Sequence, residues 1–238
     1  MLVSHEMLSI TIKDSPVEVL GILGAGGSKT VLDISLGGLR RALAIPNRTD
    51  PKNVQDEKWE LVASEADNAR LLSELGLLTI PDYALEDIVL NGDARKGLLM
   101  TPFSDLPFEV FDGKDGSRTW EQGPLSDIEH FSRISERMLA IKEDIARLAG
   151  AGVVLNSDSI SFVCMPDGTM RLFLYDLQGM SVTDQADELG ELPMRYAQLV
   201  TSKLDNVFDF RQSQRFAAQG YDLNARQRLA TTLINELP

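Results

Sequence analysis

The chain has 238 residues, 43% hydrophobic and 25% charged, the composition of a globular protein long enough to bury a sizeable core in one or two domains. Its net charge of −13 argues against sequence-independent binding to DNA or RNA, which neutralises phosphates with Lys and Arg, but leaves room for a small anion at a local site. Two histidines, His5 and His130, supply no zinc site of usual spacing and no Ser-His-Asp hydrolase, the single Cys164 excludes an internal disulfide and fits a reducing compartment, and no apolar run approaches a membrane span.

The first twelve residues carry His5 and Glu6 and lack a basic segment followed by a long apolar one, so no secretory signal is expected. A cytoplasmic location follows, or export by a route without a cleavable signal. Residues up to about 23 read as one strand. A glycine-dense turn follows, Gly24-Ala25-Gly26-Gly27-Ser28-Lys29, and then a β-prone run at 31–35. Glycines let the backbone approach a ligand, consecutive N–H groups in such a turn make an anion-binding concavity, and Lys29 adds a cation. A Gly-rich hairpin with an exposed lysine is the plainer alternative. Residues 39–45 read as a third strand, stopped by Pro46-Asn47, and 47–57 as a loop. Residues 59–75 carry an apolar stripe at helical period and stop at Gly76. After a connection around Pro81, residues 87–90 and 96–100 pair around Asn91-Gly92-Asp93, giving about five strands and one helix.

Residues 112–124 read as a loop and 126–148 as a long helix with a core-facing stripe, in which His130 is structural. Gly150-Ala151-Gly152 ends it. A polar loop, Asn156-Ser157-Asp158-Ser159, leads into two strands at 160–165 and 170–175 joined by Pro166-Asp167-Gly168-Thr169, a strong hairpin signal, and Asp176 closes the second strand. Cys164 reads as a buried core thiol. Residues 184–204 and 225–237 look helical.

Gly24-x-Gly26-x-x-Lys29-x-Val31 resembles the phosphate-binding hairpin loop of protein kinases, with Lys29 where a third glycine is usual. That departure resembles the with-no-lysine kinases, whose nucleotide-contacting lysine sits at this place. The lysine that kinases carry on the third strand would fall at Ile45-Pro46, and proline cannot supply it. The order of long helix, polar loop, hairpin and strand-terminal aspartate is similar to a kinase catalytic core. The resemblance implies an α+β, two-lobed protein-kinase-like fold. Its N-lobe would be five antiparallel strands plus one helix over residues 1–103, and its C-lobe reduced and mainly helical over 104–238. It implies ATP cradled by Gly24, Gly26 and Gly27, and Lys29 paired with Glu65, or with Glu60 as second choice. Met100 would wall the pocket, and Thr101 and Phe103 would contact adenine. Asp176 would hold Mg2+, with Ser161 at the place of the metal-binding asparagine, and Asp158 would accept the proton of a substrate hydroxyl. The pattern also departs from kinases. The His-Arg-Asp region reads Val154-Leu155-Asn156-Ser157-Asp158, Asp-Phe-Gly reads Asp176-Leu177-Gln178, and Ala-Pro-Glu is absent. The short remainder is similar to minimal kinase-like effectors of bacterial pathogens. The implied function is an ATP/Mg-dependent phosphotransferase acting on a protein hydroxyl. A pseudokinase binding module, a kinase-fold transferase of AMP or another group, and an unrelated α/β phosphate-binding domain stand beside it.

Overall fold

Strand-forming runs in the first half, apolar at alternate positions, close on themselves as a barrel. The computed structural model describes residues 8–47, 55–111, 139–167 and 169–207, without the side chains of 55–61, 109, 111, 164, 201 and 203–207. Strands β1 (Ile10–Ile12), β2 (Ser15–Ala25), β3 (Lys29–Leu36) and β4 (Leu39–Pro46) form an antiparallel run. After helix α1 (Gln55–Glu74) and a two-residue strand β5 (Leu78–Thr79), β6 (Ala84–Leu90) and β7 (Asp93–Met100) complete the barrel in the order β1-β2-β3-β4-β7-β6, with β6 returning to β1. Ile10, Ile12, Leu32, Ile34, Leu43, Ile45 and Ile88 fill it. Gly97 makes the filling possible: a Cβ there would stand 2.7 Å from Leu43 Cδ1 and 3.2 Å from Ile88.

The barrel has six strands where five were expected. The difference lies in residues 10–25, which are two strands reversed at Lys13 and Asp14, with φ of 48° and 63°. A left-handed turn made without glycine carries little sequence signal. The Asn91-Gly92 turn, with φ of 51° and 89°, is the kind that glycine announces. Helix α1 buries Val62, Glu65, Ala69 and Leu72 on one face. It ends at Gly76, φ 73°, where the N–H of Gly76 bonds to Ser73 O and that of Leu77 to Leu72 O, satisfying two terminal carbonyls.

The chain divides into two compact units, Met1–Leu71 with Ile80–Leu106, and Leu72–Thr79 with Pro107–Pro238. The second holds α2 (Leu139–Gly150), α3 (Ala186–Val207) and a four-stranded sheet. That sheet has the order β5-β11-β10-β8, with β8 at Glu109–Phe111, β10 at Ile160–Cys164 and β11 at Met170–Leu174. A further pair joins β9 (Val153–Val154) to β12 (Ser181–Val182). Among the described residues this unit combines helix, the larger share, with short strands, several of only two or three residues that leave no periodic trace. Asp144 on α2 is buried and receives Arg171 through Nε and Nη2 and the N–H of Leu172, fastening the helix to β11. That hydrogen bond raises the Arg171 pKa. The expected loop at 112–124, the helix over 126–138 with His130, the helix at 225–237, and His5 lie outside the described residues. Among the described residues no helix is long and apolar enough to cross a membrane.

Candidate functional site

In the first unit the β2–β3 hairpin carries the glycine loop, with the turn at Gly26–Ser28 and Lys29 opening β3. The register places Lys29 directly opposite Pro46 on β4, so the cation stands one strand away from the proline and on the same sheet face. That face continues through Val31 and Ala44, which are paired, then Ala42 and Met100, also paired. Ala42, Ala44, Leu98 and Met100 are buried there. The Lys29 ammonium forms a short ion pair with Glu65 of α1. Glu65 is fully buried and the Lys29 side chain is 14% exposed, so both charges sit largely out of water. The signal for Glu65 over Glu60 was available: Glu65 falls within the buried stripe Val62, Ala69 and Leu72, where an unpaired carboxylate would be costly.

The loop glycines are not demanded by the fold. None of Gly24, Gly26 and Gly27 has a left-handed φ, and a Cβ on them would meet nothing nearer than Lys29 O, 3.7 Å from Gly26. The loop is fixed by a residue that sequence reasoning missed, Asn47. Its N–H donates to Ser28 O at 2.9 Å, its side-chain amide donates to Gly26 O, and its amide oxygen accepts from the Thr30 hydroxyl. Gly26 N–H closes the turn on Lys29 O at 2.9 Å.

The segment after β7 has its first donors bonded within the unit. Thr101 N–H donates to Pro81 O at 3.3 Å and the Thr101 hydroxyl to Asp82 Oδ2 at 3.2 Å. Pro102 has no N–H, and Phe103, partly exposed, opens a 3-10 turn whose Leu106 N–H returns to Phe103 O. Hydrogen bonds from Arg41 first, then Thr101, hold the Asp82 carboxyl below the usual carboxylate range. The Thr101 N–H and hydroxyl are thus both engaged within the unit.

In the second unit the β10–β11 hairpin pairs Ile160 with Leu174, and the ladder runs on as Tyr175 N–H bonds to Ser159 O at 3.0 Å. Buried Ser159 donates its hydroxyl to Asp176 O at 2.9 Å. Asp158 and Asp176 follow at the open end of the hairpin. Asp176 has φ 53°, a left-handed conformation uncommon outside glycine, and opens the turn Leu177–Gly179. Asp158 is exposed on the turn Ser157–Ser159. Asn156 lies against Gly179, where a Cβ would come within 2.2 Å of its amide nitrogen. This close approach, not visible in the pattern, gives Gly179 its place three residues after Asp176. Ser161 is buried within β10 opposite Phe173. Asn156, Ser159, Asp176 and Gly179 are therefore brought together, with Asp158 on the same loop. Among the described residues no three His, Cys, Asp or Glu side chains converge as a metal cluster. The carboxylate of Asp176 still suits magnesium chemically, because that ion takes one or two protein carboxylates and completes its shell with water and phosphate oxygens.

An antiparallel barrel with one helix supplying a buried glutamate to a hairpin lysine, followed by a helix, a polar loop and a hairpin ending in a left-handed aspartate, is a protein-kinase-like fold. Among solved structures the chain is similar to the ROP18 kinase domain in complex with AMP-PNP and sucrose, with a TM-score of 0.52 at 15% identity, over 95% of this chain and 77% of that one. No protein-family model matches the sequence, and no curated protein matches it.

Proposed function

We propose that the chain is an ATP- and magnesium-dependent phosphotransferase acting on a hydroxyl group, with a protein hydroxyl as acceptor. The observation that carries this reading is the ion pair of Lys29 with buried Glu65, made from the strand next to the one where Pro46 stands. A lysine held by a glutamate beside a glycine hairpin is suited to the phosphates of a nucleotide. The loop glycines support it: neither φ nor packing requires them, and the close approach of a ligand would. The neighbour with AMP-PNP bound has the same kind of fold.

In this reading residues 1–103 form the nucleotide-binding lobe and 104–238 the lobe carrying Asp158 and Asp176, in a cytoplasmic protein. Lys29 orients the phosphates, Asp158 takes the proton of the acceptor hydroxyl, the acceptor oxygen bonds to the γ-phosphorus, and the bond to ADP breaks. Asp176, with Ser161, would hold magnesium, which would supply charge neutralisation at the phosphates. Incubation with ATP should give magnesium-dependent turnover or autophosphorylation that is absent in Asp176→Ala; full activity in that variant rejects the assignment. Intact mass distinguishes an added phosphoryl group from an adenylyl group.

A second reading, nucleotide binding without turnover, is favoured by one feature. The loop side chain that reaches Gly179 is the amide of Asn156, which takes no proton, and the carboxylate of that loop, Asp158, is exposed on its turn. Thermal shift by ATP with no turnover under any divalent ion would select it.

A further inference from the structure

We infer that Asn47 is the positioning residue that sets the glycine loop and, through it, the direction of Lys29; the inference rests on reading that loop as the phosphate site. The turn Gly26–Ser28 carries two glycines with little conformational preference of their own, so its direction depends on what holds it. Asn47 does so from the end of β4. It bonds both carbonyls that flank the turn, those of Gly26 and Ser28, and accepts from the hydroxyl of Thr30. Ser28 and Thr30 are the chain neighbours of Lys29, so the carbonyl before the lysine and the hydroxyl side chain after it are both tied to Asn47.

The chemistry is specific to an amide. One oxygen accepts from Thr30 while one nitrogen donates to Gly26 O; a carboxylate has no donor, and a hydroxyl donates and accepts only from one oxygen rather than from two separate atoms. The location is also functional in kind. Asn47 follows Pro46, the residue opposite Lys29, so the strand that lacks a lysine instead supplies the clamp for the one on its neighbour. Lys29 opens β3 directly after the glycine turn, and Asn47 holds that turn from the neighbouring strand's end.

The test uses the full chain, Asn47→Ala, and the volume-matched Asn47→Leu. One readout is the rate at which an amine-acetylating N-hydroxysuccinimide ester labels Lys29, followed by peptide mass spectrometry. The other is the Kd for AMP-PNP with magnesium. Loss of two side-chain hydrogen bonds should raise Lys29 labelling about fivefold or more and weaken AMP-PNP by a similar factor, while circular dichroism remains that of the parent. Thr30→Val, which removes one of the two, should give a smaller change in the same direction. Unchanged labelling of Lys29 in folded Asn47→Leu overturns the inference. If the parent chain fails to bind AMP-PNP, the nucleotide reading falls by itself, and the labelling arm still decides whether Asn47 directs the lysine.

Discussion

Lys29 and Glu65 are worth more as a pair than either is alone. Glu65 has no exposure to water, so removing the ammonium leaves a buried charge uncompensated. Lys29→Met should lower the free energy of unfolding by about 3 kcal/mol, and Lys29→Met/Glu65→Gln should recover most of that loss. Urea denaturation of the two singles and the double checks this; additive losses would mean that the pair is not coupled. Tyr196 provides a second residue-scale prediction, with a pH window. Burial pushes its phenol up to about 12, and its hydroxyl donates to Val153 O at 2.7 Å. An unfolded tyrosine ionises near pH 10, so the neutral form contributes stability that is complete below about pH 10 and is lost as pH rises towards 12. The stability advantage of the parent over Tyr196→Phe should be constant through neutral pH and then shrink by about 1–3 kcal/mol across that window. A difference that stays flat to pH 12 would contradict the assignment.

At the scale of elements, two packing features are open to test. Gly97→Ala forces a methyl against Leu43 and Ile88 inside the barrel, and overpacking of this kind costs about 1–3 kcal/mol, read as a lowered Tm. Asp144→Ala leaves Arg171 without its bidentate partner and the Leu172 N–H without its acceptor. Its cost should be about 3 kcal/mol or more, whereas a surface pair such as Arg70–Asp67 should contribute under about 1 kcal/mol. Equal effects of the two substitutions in a denaturation series would show that the Asp144 network does not fasten α2. Much of this architecture was legible. The glycine hairpin, the helix ending at Gly76, the Asn91-Gly92 turn and the hairpin around Pro166-Asp167 all announce themselves through glycine, proline or periodicity. What was hidden has a common physical cause. The β1–β2 reversal at Lys13-Asp14 uses left-handed residues that are not glycine, and β5, β9 and β12 are two-residue strands whose partners are remote in sequence. Pairing of that kind is decided by tertiary packing, not by local pattern.

For the molecule as a whole, the fold is kinase-like although its motifs are degenerate, because topology survives the exchange of single residues that chemistry does not. The expectation of a displaced cation came from Lys29 and Pro46 read together, and the register puts the two opposite each other. The clamp at Asn47 was not legible, since an asparagine after a proline reads as a loop start and its bonds cross the hairpin. The measurement that bears most directly on the account is a calorimetric titration of AMP-PNP, with and without magnesium, into the parent chain, Lys29→Met and Asp176→Asn. The account predicts magnesium-enhanced binding to the parent, loss of affinity in Lys29→Met with or without the ion, and binding to Asp176→Asn that no longer responds to magnesium. Binding in both variants indistinguishable from the parent, or no binding to the parent at all, would contradict it.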